Sequence, residues 1–202
     1  MKMIQEKTDK DHPVSVNDII QYMDSYGISV ERKTVYDDIE TLKLFGMKIQ
    51  NRRGKNGGYY LAERELGLAE LKFLMDAVQS SHFLTHNQTR ELLRKLEHLT
   101  SVGEARKLKS QMAAEVGIKS VNEAVYECIE GIYEGISNNR QISFYYCEWT
   151  LSKTLKQKHN GERYRVSPWE LIWKNENYYM LGLDEKSGIV KHYRIDKMMH
   201  VT

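Results

Sequence analysis

Two cationic side chains near the end of the chain have the spacing of a binding surface. His192 and Arg194 lie two residues apart in a run with strand character, so they share one face of the predicted strand. Arginine is seldom buried without a partner, and we therefore expect Arg194 to meet Asp196, Glu170 or an anionic ligand. Nearby tyrosines add aromatic surface on which a nucleic-acid base could stack. The pattern predicts a binding surface for an anion.

A second set of cations lies near the N-terminus, on a predicted helix and on the hairpin that follows it. The start of a recognition helix enters the major groove of DNA, and hairpin cations neutralise phosphates. The predicted DNA contacts are Arg32, Lys33, Thr34, Tyr36, Lys43, Arg52, Arg53 and Lys55. Asp37 and Glu40 on the same helix repel phosphate, so non-specific affinity should be modest. The alternatives are an ordinary helical bundle and a solvated basic turn.

Signatures of catalysis and of cofactor binding are missing from the sequence. The glycine-rich hairpin turn fits neither the P-loop nor the dinucleotide-binding spacing. No nucleophile elbow, pair of metal ligands or cofactor fingerprint accompanies Ser167 and His192. Cys128 and Cys147 lack metal-ligand spacing and are expected to be small buried hydrophobes. We expect a protein that is not an enzyme and that uses no metal or cofactor.

The first 65 residues have the pattern of two helices and a hairpin. Ser15 and Asp18 predict a capping box at the start of one helix, and a second helix is predicted from about Arg32 to Gly46. An Asn-Gly-Gly turn between two strand-like runs then predicts a hairpin. Together these elements predict a winged helix-turn-helix DNA-binding domain at residues 1–65.

The rest of the chain changes from helical to strand-like patterns. Residues 66–118 predict a helical linker or dimerisation region, with a capping box at Thr85 and Gln88. Residues 119–202 predict one helix, from about 121 to 137, and then four or five short strands. Such strands after a helix favour a small curled sheet or SH3-like barrel, so the predicted fold class is α+β.

Composition limits the protein class. The 202 residues include 41% hydrophobic and 29% charged residues, enough apolar material for packed cores. No apolar run has the length of a membrane span or a signal peptide, so we expect a cytoplasmic protein. The net charge is only +2, but Lys and Arg outnumber Asp and Glu by 10 to 6 in residues 151–202, against 11 to 11 in residues 1–65. This excess favours an anionic ligand for the C-terminal part.

Several motifs together resemble the WYL-domain transcriptional regulators of bacteria, over nearly the whole chain. The resemblance rests on Arg32–Ile39, Gly57–Leu61, Tyr164–Pro168, Tyr178–Met180 and His192–Met198. The chain departs from the family pattern in two places, because the name-giving triplet is Tyr178-Tyr179-Met180 and Asp37 stands where many relatives have arginine. Such regulators usually have a further helix before Ser15 and an extension after the barrel, so a truncated form of a longer regulator is one expectation.

The resemblance implies a winged helix-turn-helix joined to an SH3-like or Sm-like barrel, the WYL domain, which binds an effector. The effector would be a nucleic acid or another anionic, nucleotide-like ligand. The residues implied to bind it are Ser167, Trp169, Tyr179, His192 and Arg194. We therefore predict a ligand-sensing bacterial transcription regulator that binds double-stranded operator DNA as a homodimer. The alternative is an Sm-like module that binds RNA or single-stranded nucleic acid without regulating duplex DNA.

Overall fold

The computed structural model describes residues 1–54, 56–112, 119–120, 122–150 and 154–202. Its helices are α1 (Lys2–Lys7), α2 (Val16–Asp24), α3 (Arg32–Leu44), α4 (Leu68–Ser80), α5 (His86–Glu97), α6 (Val102–Ser110) and α7 (Val125–Ser137). Its strands are β1 (Ile49–Arg52), β2 (Gly58–Leu61), β3 (Ile142–Trp149), β4 (Leu155–Gln157), β5 (Tyr164–Lys174), β6 (Asn177–Asp184), β7 (Val190–Arg194) and β8 (Met198–Met199). The fold thus mixes helices and antiparallel sheets.

The described residues divide into two compact units. The N-terminal unit contains residues 1–80 and the described residues from 90 to 112, and the C-terminal unit contains residues 81–89 and the described residues from 119 to 202. The division runs through α5. The three-part division suggested by the sequence stays a prediction.

In the N-terminal unit, α1, α2 and α3 pack on the hairpin of β1 and β2. Their core consists of Ile4, Val16, Val35, Ile39 and Ile49. The predicted capping box forms, because the Ser15 and Asp18 side chains each accept a hydrogen bond from the other's backbone N–H. Gly58 holds β2 close to the preceding loop, where a Cβ would lie only 2.2 Å from the carbonyl oxygen of Val14. Glycine is therefore required there.

The remaining helices of this unit build a second small core. Leu71 and Met75 of α4 and Leu108 of α6 are buried, and Leu93 and Leu96 of α5 pack against them. The buried Thr8 at the end of α1 connects that helix to the hairpin, because its hydroxyl accepts a hydrogen bond from the Leu61 backbone N–H. The apolar spacing of the predicted linker thus produces helices that pack.

The C-terminal unit is built around a curled antiparallel sheet in the order β4-β3-β5-β6-β7, with β8 paired to β3. Helix α7 packs on its inner face through Val125, Cys128 and Ile132. The helix begins four residues later than the sequence pattern suggested. The sheet also has more strands than expected, because the short β4 and β8 carry little pattern of their own. Conversely, the two short strands that the sequence pattern predicted at Tyr164–Val166 and Leu171–Trp173 form one long strand, β5.

A bulge bends β5 in its middle. The pairing of β5 with β6 shifts between Pro168 and Glu170, which leaves Trp169 as the additional residue. Such bulges bend a strand and increase its twist, which helps a sheet to curl. Ser167 lies immediately before this bend, so the bulge determines where the rest of β5 runs relative to it.

Candidate functional sites

The first candidate surface is the exposed side of α3. Val35 and Ile39 are buried in the core, which turns Lys33, Thr34 and Tyr36 into solvent. The outward projection expected from helical spacing is therefore present at the start of the helix. Exposed groups at the first turn of a helix are suited to contact a groove or a phosphate.

Two further predicted DNA contacts on α3 are already engaged. Arg32 donates from Nη1 to Oδ1 of Asn17 at 2.9 Å, which ties the start of α3 to the start of α2. Lys43 is half-buried, and its Nζ lies 2.7 Å from Oε1 of Glu40. The pair with Glu40 thus occupies the Lys43 ammonium group that was predicted to contact DNA.

The hairpin divides its cations in the same way. Arg52 donates to the backbone carbonyl oxygens of Lys10 and Asn56, both at 3.0 Å, so its guanidinium holds the turn together. Arg53 is exposed and has no hydrogen bond or ion pair with any residue that the structure describes. Lys55 lies outside the described residues. Arg53 is thus the hairpin cation best placed to meet a phosphate.

The second candidate surface is the outer face of β5, β6 and β7, which is turned away from α7. Strand register places Tyr179 directly opposite Arg194 and His192 opposite Leu181, while Ser167 lies opposite Leu183. Paired residues share a face, so Ser167, Tyr179, His192 and Arg194 all lie on the outer face. Ser167 is about 13 Å along the sheet from Tyr179, four residues at ~3.3 Å each.

Trp169, the fifth predicted effector residue, occupies the bulge and is 54% exposed. The structure therefore brings Tyr179, His192 and Arg194 together and places Ser167 and Trp169 farther along β5. Met180 and Ile195, which are neighbours of these residues in sequence, are fully buried. Ile195 lies in a short 3-10 helix after β7 rather than in the strand.

Arg194 is clamped by an acidic and an amide side chain. Its Nε and Nη2 lie 3.0 and 2.9 Å from the two carboxylate oxygens of Asp196, and Nη2 also donates to Oδ1 of Asn177 at 2.8 Å. The hydrogen bonds that Arg194 donates to Asp196 raise the pKa of Arg194, which stays charged. The Asp196 side chain is 7% exposed and that of Arg194 36%. Of the alternatives left open by the sequence, the partner is Asp196, and Nη1 has no hydrogen bond with any residue that the structure describes.

A buried polar network behind this face fixes β7 against β6. Asp184 accepts hydrogen bonds from the hydroxyls of Ser187 and Tyr193, both at 2.6 Å, and from Nζ of Lys191 at 3.1 Å. Burial alone would raise the pKa of Asp184, but these hydrogen bonds outweigh it and lower that pKa. Burial is the largest cause of a raised pKa at the Tyr193 hydroxyl, and the hydrogen bond to Asp184 raises that pKa further. Sequence reasoning missed Asp184, although an Asp three residues before a Ser at a turn is a recognisable capping signal.

Asn122 is a second positioning residue that the sequence did not reveal. Its side-chain amide donates to the carbonyl oxygens of Asp196 and Met198 at 3.0 and 2.9 Å. These bonds hold the turn that carries Asp196, and Asp196 in turn holds Arg194. The contact joins residues more than 70 positions apart in sequence, so no local pattern could indicate it.

The comparisons with known proteins identify this part of the chain. Residues 127–202 match the family described as WYL domain. This region is a WYL domain. The curled antiparallel sheet, which forms an open half-barrel, fits that assignment.

A solved structure similar to the chain is "Proteasome accessory factor B/C (PafBC) of Arthrobacter aurescens". The two are 15% identical with a TM-score of 0.32, over 98% of this chain and 34% of that chain. The chain thus spans about a third of the length of that protein. No curated protein matches the chain in sequence.

The described residues show neither a candidate metal site nor a candidate membrane span. No group of three or more His, Cys, Asp or Glu side chains among these residues is arranged to hold a metal ion. None of the described helices combines the length and the apolar character needed to cross a membrane. Both cysteines are buried, as expected, and burial raises the pKa of the Cys128 thiol to about 11.

Proposed function

We propose that this chain is a bacterial transcription regulator that is not an enzyme, with a winged helix-turn-helix in its N-terminal unit and an effector-binding WYL domain. The observation that carries the proposal is an exposed helix start with cationic residues beside a hairpin whose Arg53 has no partner among the described residues, in a chain whose residues 127–202 match the WYL domain. α2 and α3 would be the helix-turn-helix and β1 and β2 the wing. Lys33, Thr34 and Tyr36 would contact bases or phosphates in the major groove.

Arg53 gives the sharpest test of the DNA-binding part. Each phosphate contact releases a bound counterion, so Arg53→Ala should reduce the slope of log K against log salt by about 1 on any duplex. Fluorescence anisotropy with a labelled random duplex at several salt concentrations measures that slope. The matched control is Arg94→Ala, which removes an exposed arginine from α5. Equal slopes for wild type and Arg53→Ala would remove the wing from the interface.

The WYL domain would bind its anionic or nucleotide-like effector on the outer face of β5, β6 and β7. Tyr179, His192 and Nη1 of Arg194 are adjacent there, and Ser167 and Trp169 extend the surface along β5. Because the clamp leaves the guanidinium charged and fixed in orientation, a ligand would not have to order it. The helices between the winged helix-turn-helix and the WYL domain would couple effector binding to DNA affinity.

A homodimer is part of the proposal, because the N-terminal unit exposes large apolar side chains. Leu44, Phe45 and Phe73 are 88%, 84% and 73% exposed. Exposed apolar surface of this kind is used for association between proteins. Light scattering on the intact chain measures its mass in solution.

A second candidate function is binding of RNA or single-stranded nucleic acid without regulation of duplex DNA. The observation in its favour is Trp169, a half-exposed indole on the sheet that also carries Arg194. Bases of any sequence stack on such rings. Retained binding of single-stranded RNA together with no measurable duplex binding would favour this second function.

A further inference from the structure

A cleft in the C-terminal unit lies beside the outer face and shares Arg165 with it. It lies where β5 begins and where β6 turns into β7, at the open end of the curled sheet. Its volume of about 750 Å³ is in the range of small-molecule sites, which often lie at the mouth of a β-barrel. None of the five predicted effector residues lines it.

One wall of this cleft is aromatic. The Tyr164 ring stacks on Phe144, with centroids 5.7 Å apart and planes 11° from parallel. The exposed ring of His159 lies 5.6 Å from Tyr164 on the cleft side. Because Phe144 fixes Tyr164 from behind, the tyrosine ring is held in place before any ligand arrives. A flat heterocycle could stack against such a pair.

Two cations at the rim of the cleft form exposed surface ion pairs. Nζ of Lys186 lies 2.8 Å from Glu162, and Nη1 of Arg165 lies 3.8 Å from Glu185. The side chains of Lys186 and Arg165 are 78% and 68% exposed, and pairs with that exposure contribute little to stability. A phosphate could therefore take both cations at little cost, since charge-assisted bonds to phosphate are stronger.

The carboxylates of the same pairs narrow the ligand class. A simple anion gains nothing from Glu162 and Glu185 and is repelled by them. A ligand that also has hydroxyl or amino donors would satisfy these carboxylates once the cations turn to its phosphate. A nucleotide combines a flat ring, a phosphate and ribose hydroxyls, and carboxylates are established partners of ribose hydroxyls in nucleotide sites.

We propose that this cleft binds a 5′-mononucleotide, with the base against His159 and Tyr164 and the phosphate between Arg165 and Lys186. Glu162 and Glu185 accept from the ribose or from the base amino group. Arg165 lies on the same face of β5 as Ser167, but none of the five residues of the proposed effector surface lines the cleft, so the nucleotide site does not require the proposed function. It would give the WYL domain a second input.

Calorimetry on the intact chain with adenosine 5′-monophosphate tests the site. Removing both phosphate contacts in Arg165→Gln/Lys186→Gln should weaken binding by at least about ten-fold, the size expected for loss of charge-assisted bonds. The control Lys156→Gln/Lys174→Gln removes the same charge from exposed positions of β4 and β5 outside the cleft and should bind like wild type. His159→Ala should weaken the nucleotide but leave inorganic phosphate unaffected.

Four results would overturn the proposal. The first is no heat of binding up to about 1 mM nucleotide, a limit set by the weakest affinity of interest. The second is an affinity for adenosine or inorganic phosphate equal to that for the nucleotide, and the third is an equal loss of affinity in the two double variants. The fourth is much tighter binding of a 5′-phosphorylated oligonucleotide than of the mononucleotide. The last result would assign the cleft to a nucleic-acid path instead. The Arg53 salt slope is independent of all four.

Discussion

The two candidate surfaces use arginine in opposite ways. On the hairpin, Arg53 is exposed and has no partner among the described residues. On the sheet, Arg194 is fixed by Asp196 and Asn177 and stays about one-third exposed. A free cation can follow a phosphate backbone of any sequence, whereas a fixed guanidinium presents its remaining N–H groups in one direction. The side chains that contact an arginine, rather than the residue type itself, therefore determine which kind of ligand it suits.

The largest effect is expected from breaking the clamp. Arg194→Ala leaves the buried Asp196 without its cation, and we expect a loss of about 2–3 kcal/mol in the free energy of unfolding, below the value for fully buried pairs because Arg194 is partly exposed. A thermal or denaturant melt measures it. His192→Ala, on the same face and exposed, is the control and should melt like wild type. A normal melt for Arg194→Ala would mean that the clamp is not structural and that the arginine is held for a ligand.

A smaller, pH-dependent effect is expected at Asp184. Its folded-state pKa is lowered, so its contribution is fully present above the unfolded pKa of about 4 and disappears as the pH falls through the folded pKa. Asp184→Asn should cost about 1–3 kcal/mol near pH 7, the range for a disrupted buried hydrogen-bond group. The difference from wild type should shrink below pH about 4.

Denaturant melts between neutral and acidic pH follow that difference. Glu185→Gln changes the adjacent, exposed carboxyl and provides the control. A difference that is the same at every pH would show that the charge of Asp184 is unimportant and that the shape of its hydrogen-bond network is what matters.

The smallest effect on stability is expected on the DNA side of the comparison. Lys33 is exposed at the start of α3, so Lys33→Ala should leave the melting temperature unchanged and still lower the DNA salt slope by about 1. The melt and the anisotropy titration are made on the same sample. A destabilised variant would show that Lys33 has a structural role like that of Arg194, and the contrast between the surfaces would fail.

The parts of the fold that could be predicted from the sequence are those specified by local patterns. The Ser15 capping box and the burial of Val35 and Ile39 follow from spacing within a few residues. The capping box at Thr85 also forms, through reciprocal hydrogen bonds with Gln88. Strand alternation likewise places His192 and Arg194 on one face, opposite the buried Tyr193.

The rest depends on contacts that no local pattern contains. The sequence does not distinguish Glu170 from Asp196 as the ion-pair partner of Arg194. The backbone turn after β7 decides it, because it places Asp196 against the guanidinium. Arg52 and Arg53 have the same local sequence signal, and only the path of the loop decides which one bonds to carbonyl oxygens. The cleft gathers residues from four separate segments, so its shape follows from the curl of the sheet.

The bulge at Trp169 adds one residue to β5 and so changes whether its odd-numbered or even-numbered residues lie on the outer face. Before it, outer-face residues of β5 are odd-numbered, as with Arg165 and Ser167, and after it they are even-numbered, as with Glu170 and Ile172. Losing one codon here would turn every later side chain of β5 to the other side, while replacing the tryptophan would leave all of them in place. This position therefore tolerates changes of residue identity far better than changes of length, and two related chains can be aligned correctly through it only when both keep the additional residue.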